Sequence, residues 1–583
     1  MIQTIQGEKY LWQMPEEQRE QALAIASKYS LSMPVAHTLL ARGFATEDDI
    51  ESFLFSSFER DVAHPSQMKD AERAVDRIVQ AIERQEKILV CGDYDVDGVT
   101  SSAMMLACLM PLGAQINFFL PHRVKDGYGL SVKTVERAAA NGYTLLITVD
   151  NGITAFEPAK RAKELGVDLI ITDHHRPHEE VPDAYAIVNP NQEDCSYPFK
   201  VLAGVGVGFK ILSLLYEKKN MKLPDKVYEL LMLGTIADVV PLKGENRFWV
   251  RHGLQYVNRV QSYAFKVLKQ NGKVTKAQIS STDIGFSIAP QINALGRLQD
   301  ARDGVKFLIG QDTQQIENVG RVLLELNEAR KEIERSIYAQ ICKKVEEKEI
   351  DLDKENIIIA ASDSWPPGVI GLVASRIVST FGKPTLLFHL SKDGLAKGSC
   401  RSIPAFNMFD ALYENKAMLK SFGGHSLAAG LALPIDQLAT LKENLEQRIA
   451  QVCTPYDLQQ KLTLDAQAHL SDLTSKFMHD LQNLEPFGNE NRQPYFCFND
   501  VVMVQRPQLL KNAHVKCVLF ADGVIKPIIF FNRPELFELL IAQGEEPFHV
   551  VAQVMENHWN GRVSIELSGV DVALSGKWQK EAV

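Results

Sequence analysis

The sequence predicts a multidomain α/β protein: a parallel-sheet domain, a long helix, a second α/β domain and a small C-terminal β-barrel. Three observations carry that expectation. Strand-like apolar runs alternate with amphipathic helices between residues 88 and 188, the pattern of βαβ units. A charged, proline-free stretch over 312–347 carries a single apolar stripe, enough to bridge domains but not to be a core helix. Beyond residue 460 short alternating strands are punctuated by Gly, Asn and Pro, as in small barrels. A chain of 583 residues is also too long for one core, and roughly three or four domains are expected.

Taken in order, residues 1–60 read as an N-terminal helical segment, with apolar residues at helical spacing in SKYSLSMPVAHTLLARGFATEDDIESFL. The first α/β domain is placed at 61–310. An amphipathic helix over 71–84 leads into strand-like runs at 88–91, 115–120, 144–149, 168–172 and 184–188, with helices at 132–141 and 155–165 between them. A helical region covers 200–275. The connecting helix is placed at 311–350 and the second α/β domain at 351–455, opening with strands at 356–361 and 384–388. Runs at 494–498, 515–520, 526–531, 548–554 and 562–570 place a barrel of the OB type in 456–583.

Composition narrows the class. Apolar residues make up 45% and charged residues 23%, the values of an ordinary globular protein. A net charge of −10 discourages loose polyanion binding, so any nucleic-acid contact is expected in a confined groove. The eight cysteines form no CxxC pair, which predicts reduced thiols and excludes a zinc ribbon. No apolar run is long enough to span a bilayer, and Met1–Glu8 lacks a basic stretch followed by an apolar one; a cytoplasmic protein is expected.

The stretch KILVCGDYDVDGVTSSAMM, Lys87 to Met105, places Asp93, Asp95 and Asp97 at alternate positions after an apolar run. Repulsion makes that costly unless water or a cation lies among them. A calcium loop would need Glu at the twelfth position, where Met104 stands, and an entering helix instead of a strand. The carboxyl end of a parallel strand fits better, because open α/β sheets build their ligand crevices there. Further elements end alike: the run before Asp150-Asn151-Gly152, the run before Asp173-His174-His175, and the helical stretch before Asp238. If the strands are neighbours, one crevice gathers Asp93, Asp95, Asp97, Asp150, His174, His175 and Asp238. Carboxylates with one or two imidazoles suit Mn²⁺ or Mg²⁺. So many anionic ligands exceed one ion, whereas two ions about 3.5–4 Å apart would polarise a phosphoryl oxygen and activate water. The residues therefore read as a two-metal phosphoesterase.

GDYDVDG (92–98), VDNG (149–152), DHH (173–175) and GTIAD (234–238) resemble the four motifs of the DHH phosphoesterase superfamily. The flanks ARGF (41–44), LPHRVKDGYGL (120–130), GVGVGFK (204–210), PQINALGRL (290–298), KGSCRSI (397–403), FGGHSLAAG (422–430) and LEPFGNENRQPYF (484–496) are similar to its RecJ family, bacterial single-stranded-DNA exonucleases. The resemblance implies a DHH catalytic domain followed by a DHH-associated domain. It implies 5′→3′ hydrolysis releasing 5′-mononucleotides in recombination and repair, with two divalent cations. Asp150 matches the bridging carboxylate. Asp95 with Asp93 matches the ligands of one metal, and Asp97, His174 and Asp238 those of the other. His175 matches the imidazole facing the scissile phosphate, which makes His175, Asp150 and Asp93 the catalytic set. Arg123, Ser399 and Arg401 match contacts to a 5′-terminal phosphate, and Arg297 and His425 match residues lining the DNA path. A helicase and a single-strand-binding protein are the implied partners, since the enzyme needs an unwound end. Phe487, Tyr495, Phe496 and Trp559 are candidates for base stacking in the barrel. Pro366 stands where the family usually has His, which bears on the contacts of that loop. Two alternatives differ in class. A hydrolase of small phosphoesters needs no barrel, and an inactive single-strand-binding scaffold would have lost ligands that are all present here.

Overall fold

Five of the apolar runs pair side by side in the computed structural model, which describes residues 3–123, 126–559 and 562–574. The chain divides into two compact units, one of residues 47–330 with 484–492 and the other of the remainder.

In the first unit the strands are all parallel, in the order Gln115–Phe119, Lys87–Cys91, Tyr143–Val149, Asp168–Thr172, Ala186–Val188. Their apolar stretches are buried almost end to end, as a parallel sheet covered on both faces requires. Alternate residues go to opposite cores. Ile88, Val90, Leu145 and Ile147 meet the helices Ala71–Glu83, Val96–Leu109 and Gly204–Lys218. Leu89, Cys91, Leu146 and Ile171 meet Val132–Ala140 and Phe156–Glu164. Each fully buried Leu or Ile contributes about 1.5–3 kcal/mol. After Lys87–Cys91 the chain pairs on one side with Gln115–Phe119 and on the other with Tyr143–Val149. That reversal opens a crevice at the carboxyl end of Lys87–Cys91, where the aspartates follow. Helix Lys226–Ala237 packs against Val96–Leu109 and delivers Asp238.

The segment 484–492 belongs to this unit, although the sequence pattern places it with the barrel. Arg247 Nη1 donates to the Leu484 carbonyl at 2.9 Å and Ser281 Oγ to the Phe487 carbonyl at 2.6 Å. These are polar contacts across more than 200 residues, which no local periodicity records.

In the second unit, Ile358–Ser362 runs parallel to Thr385–Leu390, and Leu395–Arg401, Ala428–Pro434 and Ser421–Gly424 extend the sheet antiparallel. A closed five-stranded barrel follows, in which Phe496–Leu510, His514–Ala521, Val524–Phe530, Arg562–Ala573 and Phe548–Trp559 pair in turn and the last returns to the first. Bulges in Phe496–Leu510 let that strand bend around the barrel. The helical expectation for residues 1–60 fails at its start. Thr4–Gln6 pairs with Leu11–Gln13, which pairs with Lys461–Thr463, and helices begin at Arg19–Tyr29. Three-residue strands are too short to show alternation. They are held by tertiary contacts: Trp12 is buried and its Nε1 donates to Asp571 at 2.9 Å. The long helix is Thr313–Glu346, and the division between units falls within it.

Candidate active site

Each acidic motif lies just past the end of a strand or helix, and the local backbone explains why. Asp95 caps helix Val96–Leu109, accepting from the Gly98 amide at 3.0 Å. Asp97, in the first turn and buried, accepts from Gly204 N at 2.6 Å and Val205 N at 2.8 Å. The amides that open helix Gly204–Lys218 thus hold its carboxylate. Asp150 takes a left-handed φ of 61°, a conformation Asp tolerates better than most side chains. Asn151 locks this turn, its Nδ2 donating to Cys91 O at 3.0 Å and Val149 O at 2.9 Å, so the ends of two neighbouring strands are tied together. A Cβ on Gly204 would lie 2.6 Å from Asp150 Cβ and 2.8 Å from its Cα; only glycine permits that approach.

Asp173 is fully buried and saturated. Ile153 N donates to one oxygen at 2.8 Å, while His174 N, His175 N and His175 Nδ1 lie 2.7, 3.0 and 2.7 Å from the other. Burial works to raise its pKa, but these bonds outweigh it and keep the carboxyl below its ordinary range. The His175 ring is thereby oriented, and its pKa is raised although burial opposes this. Tyr128 closes the other side, its hydroxyl donating to the Asp150 carbonyl at 3.1 Å and lying 3.3 Å from His175 Nδ1.

The ligand atoms converge. Three groups each lie within 4.8 Å: Asp93, Asp95 and Asp150; Asp97, His174 and Asp238; Asp150, His174 and His175. His174 Nε2 lies 3.2 Å from Asp150 Oδ1 and 3.6 Å from Asp238 Oδ2. Even so, Asp93 Oδ1, His174 Nε2 and Asp238 Oδ2 are shielded from solvent and make no hydrogen bond among the described residues. The electrostatics describe a site built for cations. Burial, then Asp95, pushes Asp93 up to about 8 and Asp97 up to about 7. Burial, then Asp97, holds Asp150 and Asp238 well above the carboxylate range. Burial lowers His174 to about 4, so it is a neutral imidazole. A neutral ring with its Nε2 among carboxylates is an arrangement that suits a metal ligand. Orphaned buried oxygens and an orphaned imidazole nitrogen fit hard divalent cations such as Mn²⁺ or Mg²⁺.

Comparison with known proteins agrees. The profile of the DHH family, N-terminal domain, matches residues 87–235, that of the DHHA1 domain 354–451, and that of the RecJ OB domain 464–571. The single-stranded-DNA-specific exonuclease RecJ of Bacillus subtilis is 35% identical over 98% of this chain and 72% of its own length. This chain belongs to the RecJ family. The Escherichia coli RecJ is 33% identical over 78% of this chain and 82% of its own. A crystal structure of Thermus thermophilus RecJ in complex with Mn²⁺ superimposes with a TM-score of 0.82 at 25% identity, covering 98% of this chain and 80% of that one. A crystal structure of exonuclease RecJ bound to manganese gives 0.59 at 30% identity, covering 67% of this chain and 96% of that one.

The remaining sequence-predicted residues fall in this RecJ-family chain as follows. In the first unit Arg123 stacks on Tyr94, its guanidinium carbon 4.0 Å from the ring centre, and its Nε donates to Gly296 O at 3.1 Å. Arg297, on helix Ala289–Leu298, acts electrostatically on the same tyrosine. In the second unit Ser399 and Arg401 share strand Leu395–Arg401. Arg401 Nη1 donates to Ser399 Oγ at 3.3 Å and Cys400 O at 2.7 Å. Both face helix Pro367–Phe381, where a Cβ on Gly371 would lie 2.8 Å from Ser399 Oγ. His425 is exposed in the turn between the two glycine-rich strands. The stacking candidates fare differently. Phe496 is buried against Phe477 in the barrel core, and Phe487 belongs to the first unit. Tyr495 packs beside Ile5 and Trp12, and the Trp559 side chain lies outside the described residues. Sequence reasoning missed Asp173 as an anchor and Tyr128 altogether. The signal for Asp173 was its place first after a buried strand; Tyr128 gave none beyond its loop.

Proposed function

We propose that the chain is a single-stranded-DNA-specific exonuclease that hydrolyses phosphodiester bonds from the 5′ end, releasing 5′-mononucleotides with the aid of two divalent cations, Mn²⁺ or Mg²⁺. One observation carries this reading: three ligand clusters are linked through Asp150 and His174, and buried Asp93 Oδ1, His174 Nε2 and Asp238 Oδ2 make no hydrogen bond among the described residues. Asp93 and Asp95 would hold one cation and Asp97, His174 and Asp238 the other, with Asp150 available to both groups. When bound, such a pair supplies Lewis acidity to the phosphoryl oxygens and lowers the pKa of a coordinated water. The protein's own groups do the rest. Asp173 fixes the His175 ring by Nδ1, leaving Nε2 to face the substrate, stabilise charge on the phosphoryl group and pass a proton to the departing oxygen. Tyr128 holds the Asp150 turn and the same ring. Arg123 in the first unit, and Ser399 with Arg401 in the second, are read as phosphate contacts, since a guanidinium fork matches phosphate oxygens. Arg297 and His425 are read as DNA contacts. That relatives are named single-stranded-DNA-specific exonucleases and crystallised with Mn²⁺ supports the substrate and the metal. A helicase and a single-strand-binding protein are the partners this substrate calls for. Eight free cysteines, and no helix among the described residues long and apolar enough to cross a membrane, support a cytoplasmic location.

The test supplies a 5′-labelled single strand, the same sequence as duplex, and pyrophosphate, each with Mn²⁺ or Mg²⁺, to the wild type and Asp150→Ala. Mononucleotides from the single strand alone, lost in the variant, are expected. Hydrolysis of pyrophosphate alone, or an unaffected variant, overturns the proposal.

A further inference from the structure

Asp238 caps the end of helix Lys226–Ala237, and the turn that follows is unusual. Val239 is a β-branched residue at φ 60°, with its side chain largely exposed, so apolar burial does not hold it there. Such a conformation is strained and persists only where its surroundings impose it. The imposing group is the 484–492 segment. Asn489 Nδ2 donates to the Val239 carbonyl at 2.7 Å, and the Asn489 carbonyl accepts from Leu242 N at 2.9 Å. One residue therefore brackets the turn on both sides. The segment is itself anchored by bonds that do not involve the Asp238 turn. Asn491 is buried and its Nδ2 bonds Leu484 O and Pro486 O at 2.8 Å each, Arg247 takes Leu484 O, and Ser281 takes Phe487 O. Gly488 lies so close to Leu242 that a Cβ there would come within 2.6 Å of Leu242 Cδ1.

We infer that Asn489 is a positioning residue for the metal centre: it fixes the turn that aims Asp238, and so sets the affinity of the cation that Asp97, His174 and Asp238 hold. The inference rests on the two-cation reading above. Asn489 adds no ligand and touches no reacting atom. It acts by removing the freedom of the Asp238 turn, and a ligand held in place beforehand binds more tightly than one that must be ordered on binding. The segment lies in sequence immediately before the barrel strand Phe496–Leu510, so the chain that forms the barrel also supplies the clamp on a metal ligand some 250 positions earlier.

The test counts and titrates Mn²⁺ on the full-length protein, following free Mn²⁺ by electron paramagnetic resonance, for wild type, Asn489→Asp and Ser281→Ala. Asn489→Asp is isosteric but replaces the donor with a carboxylate against the Val239 carbonyl. Ser281→Ala removes the anchor at Phe487 and leaves both Asn489 hydrogen bonds to the turn in place. Two Mn²⁺ sites are expected in the wild type. In Asn489→Asp one site weakens about tenfold while the other stays within about twofold, and nuclease activity returns at high Mn²⁺. Ser281→Ala keeps both sites. Equal weakening of both sites in Asn489→Asp, or none, overturns the inference, since a merely structural role does not discriminate between them. A wild type that binds a single Mn²⁺ removes the two-cation reading itself.

Discussion

Two glycines of the same helix, Gly204 and Gly208, allow the active-site geometry to be tested by adding one methyl group at a time. On Gly204 the new carbon would lie 2.6 Å from Asp150 Cβ, about 0.8 Å inside the 3.4 Å at which ordinary contact begins. The nearest atoms include the Asp150 Cα, which cannot swing aside, so either Asp150 or the start of helix Gly204–Lys218 has to move. That helix start is also what holds Asp97, through the Gly204 and Val205 amides. Displacements approaching 1 Å at a reacting centre cost about 10²-fold in rate, equivalent to about 2.7 kcal/mol. On Gly208 the added carbon meets only Met105 Cε, at 3.4 Å, the far end of a flexible side chain. Alanine also favours a helix interior over glycine by about 1 kcal/mol. Gly208→Ala is therefore expected to be active and slightly stabilised, and Gly204→Ala to lose about 10²-fold in kcat on a 5′-labelled single strand with Mn²⁺ while remaining folded by circular dichroism. A Gly204→Ala enzyme within threefold of wild type would refute the claim that Asp150 and this helix are in close contact.

Other perturbations give distinct signatures. Asp150→Asn removes a carboxyl whose ionisation burial and the neighbouring aspartates oppose and keeps a side chain that tolerates the left-handed turn. The metal-free protein should melt about 2–4 °C higher and lose its further rise with Mn²⁺; a lower metal-free melting point contradicts the reading. Asp173→Asn leaves the Mn²⁺ ligands in place but unfixes the His175 ring, so kcat should fall about 10²-fold or more. Single-turnover kinetics in which only KM changes would assign Asp173 a different role. Arg77 bridges Glu86 at 2.6 Å and Asp168 at 2.7 Å, and Arg77→Met should cost about 1–2 kcal/mol, since it leaves the part-buried Glu86 with Thr144 as its remaining partner. Burial opposes ionisation of Glu86, but its bonds to Arg77 and Thr144 win and depress its pKa. The stabilisation is thus fully present above the unfolded pKa of about 4.3 and is lost as pH falls through the lower folded value. The gap between wild-type and Arg77→Met urea midpoints should be full at pH 7 and narrow at pH 3.5; a gap independent of pH would exclude this origin.

The convergence of these carboxylates and imidazoles was readable in the sequence because a parallel sheet turns a linear rule into a spatial one. Asp93, Asp150 and His174 each follow a buried run, and parallel neighbours bring such positions together at one edge. Asp238 was readable because it ends a helix packed on the same core. What stayed hidden depends on polar contacts between distant parts of the chain. Nothing in Asn489 or in its neighbours indicates Val239, and nothing in Thr4–Gln6 marks a strand until Leu11–Gln13 and Lys461–Thr463 pair beside it. Phe496 looked like a base-stacking surface because an aromatic in an alternating strand has two faces to choose from. The barrel's closure, not the residue, decided that it points inward.

Asp571 draws its hydrogen bonds from the Lys9 and Tyr10 amides and from the Trp12 indole, a contact spanning 559 positions. On the ribosome the donors emerge 559 positions before the acceptor, so this piece of structure waits for all the intervening chain before it can form. Contacts of such long range are slow to close. The opening strands must stay unaggregated meanwhile, and refolding from denaturant should show their docking, reported by Trp12 fluorescence, as a late event.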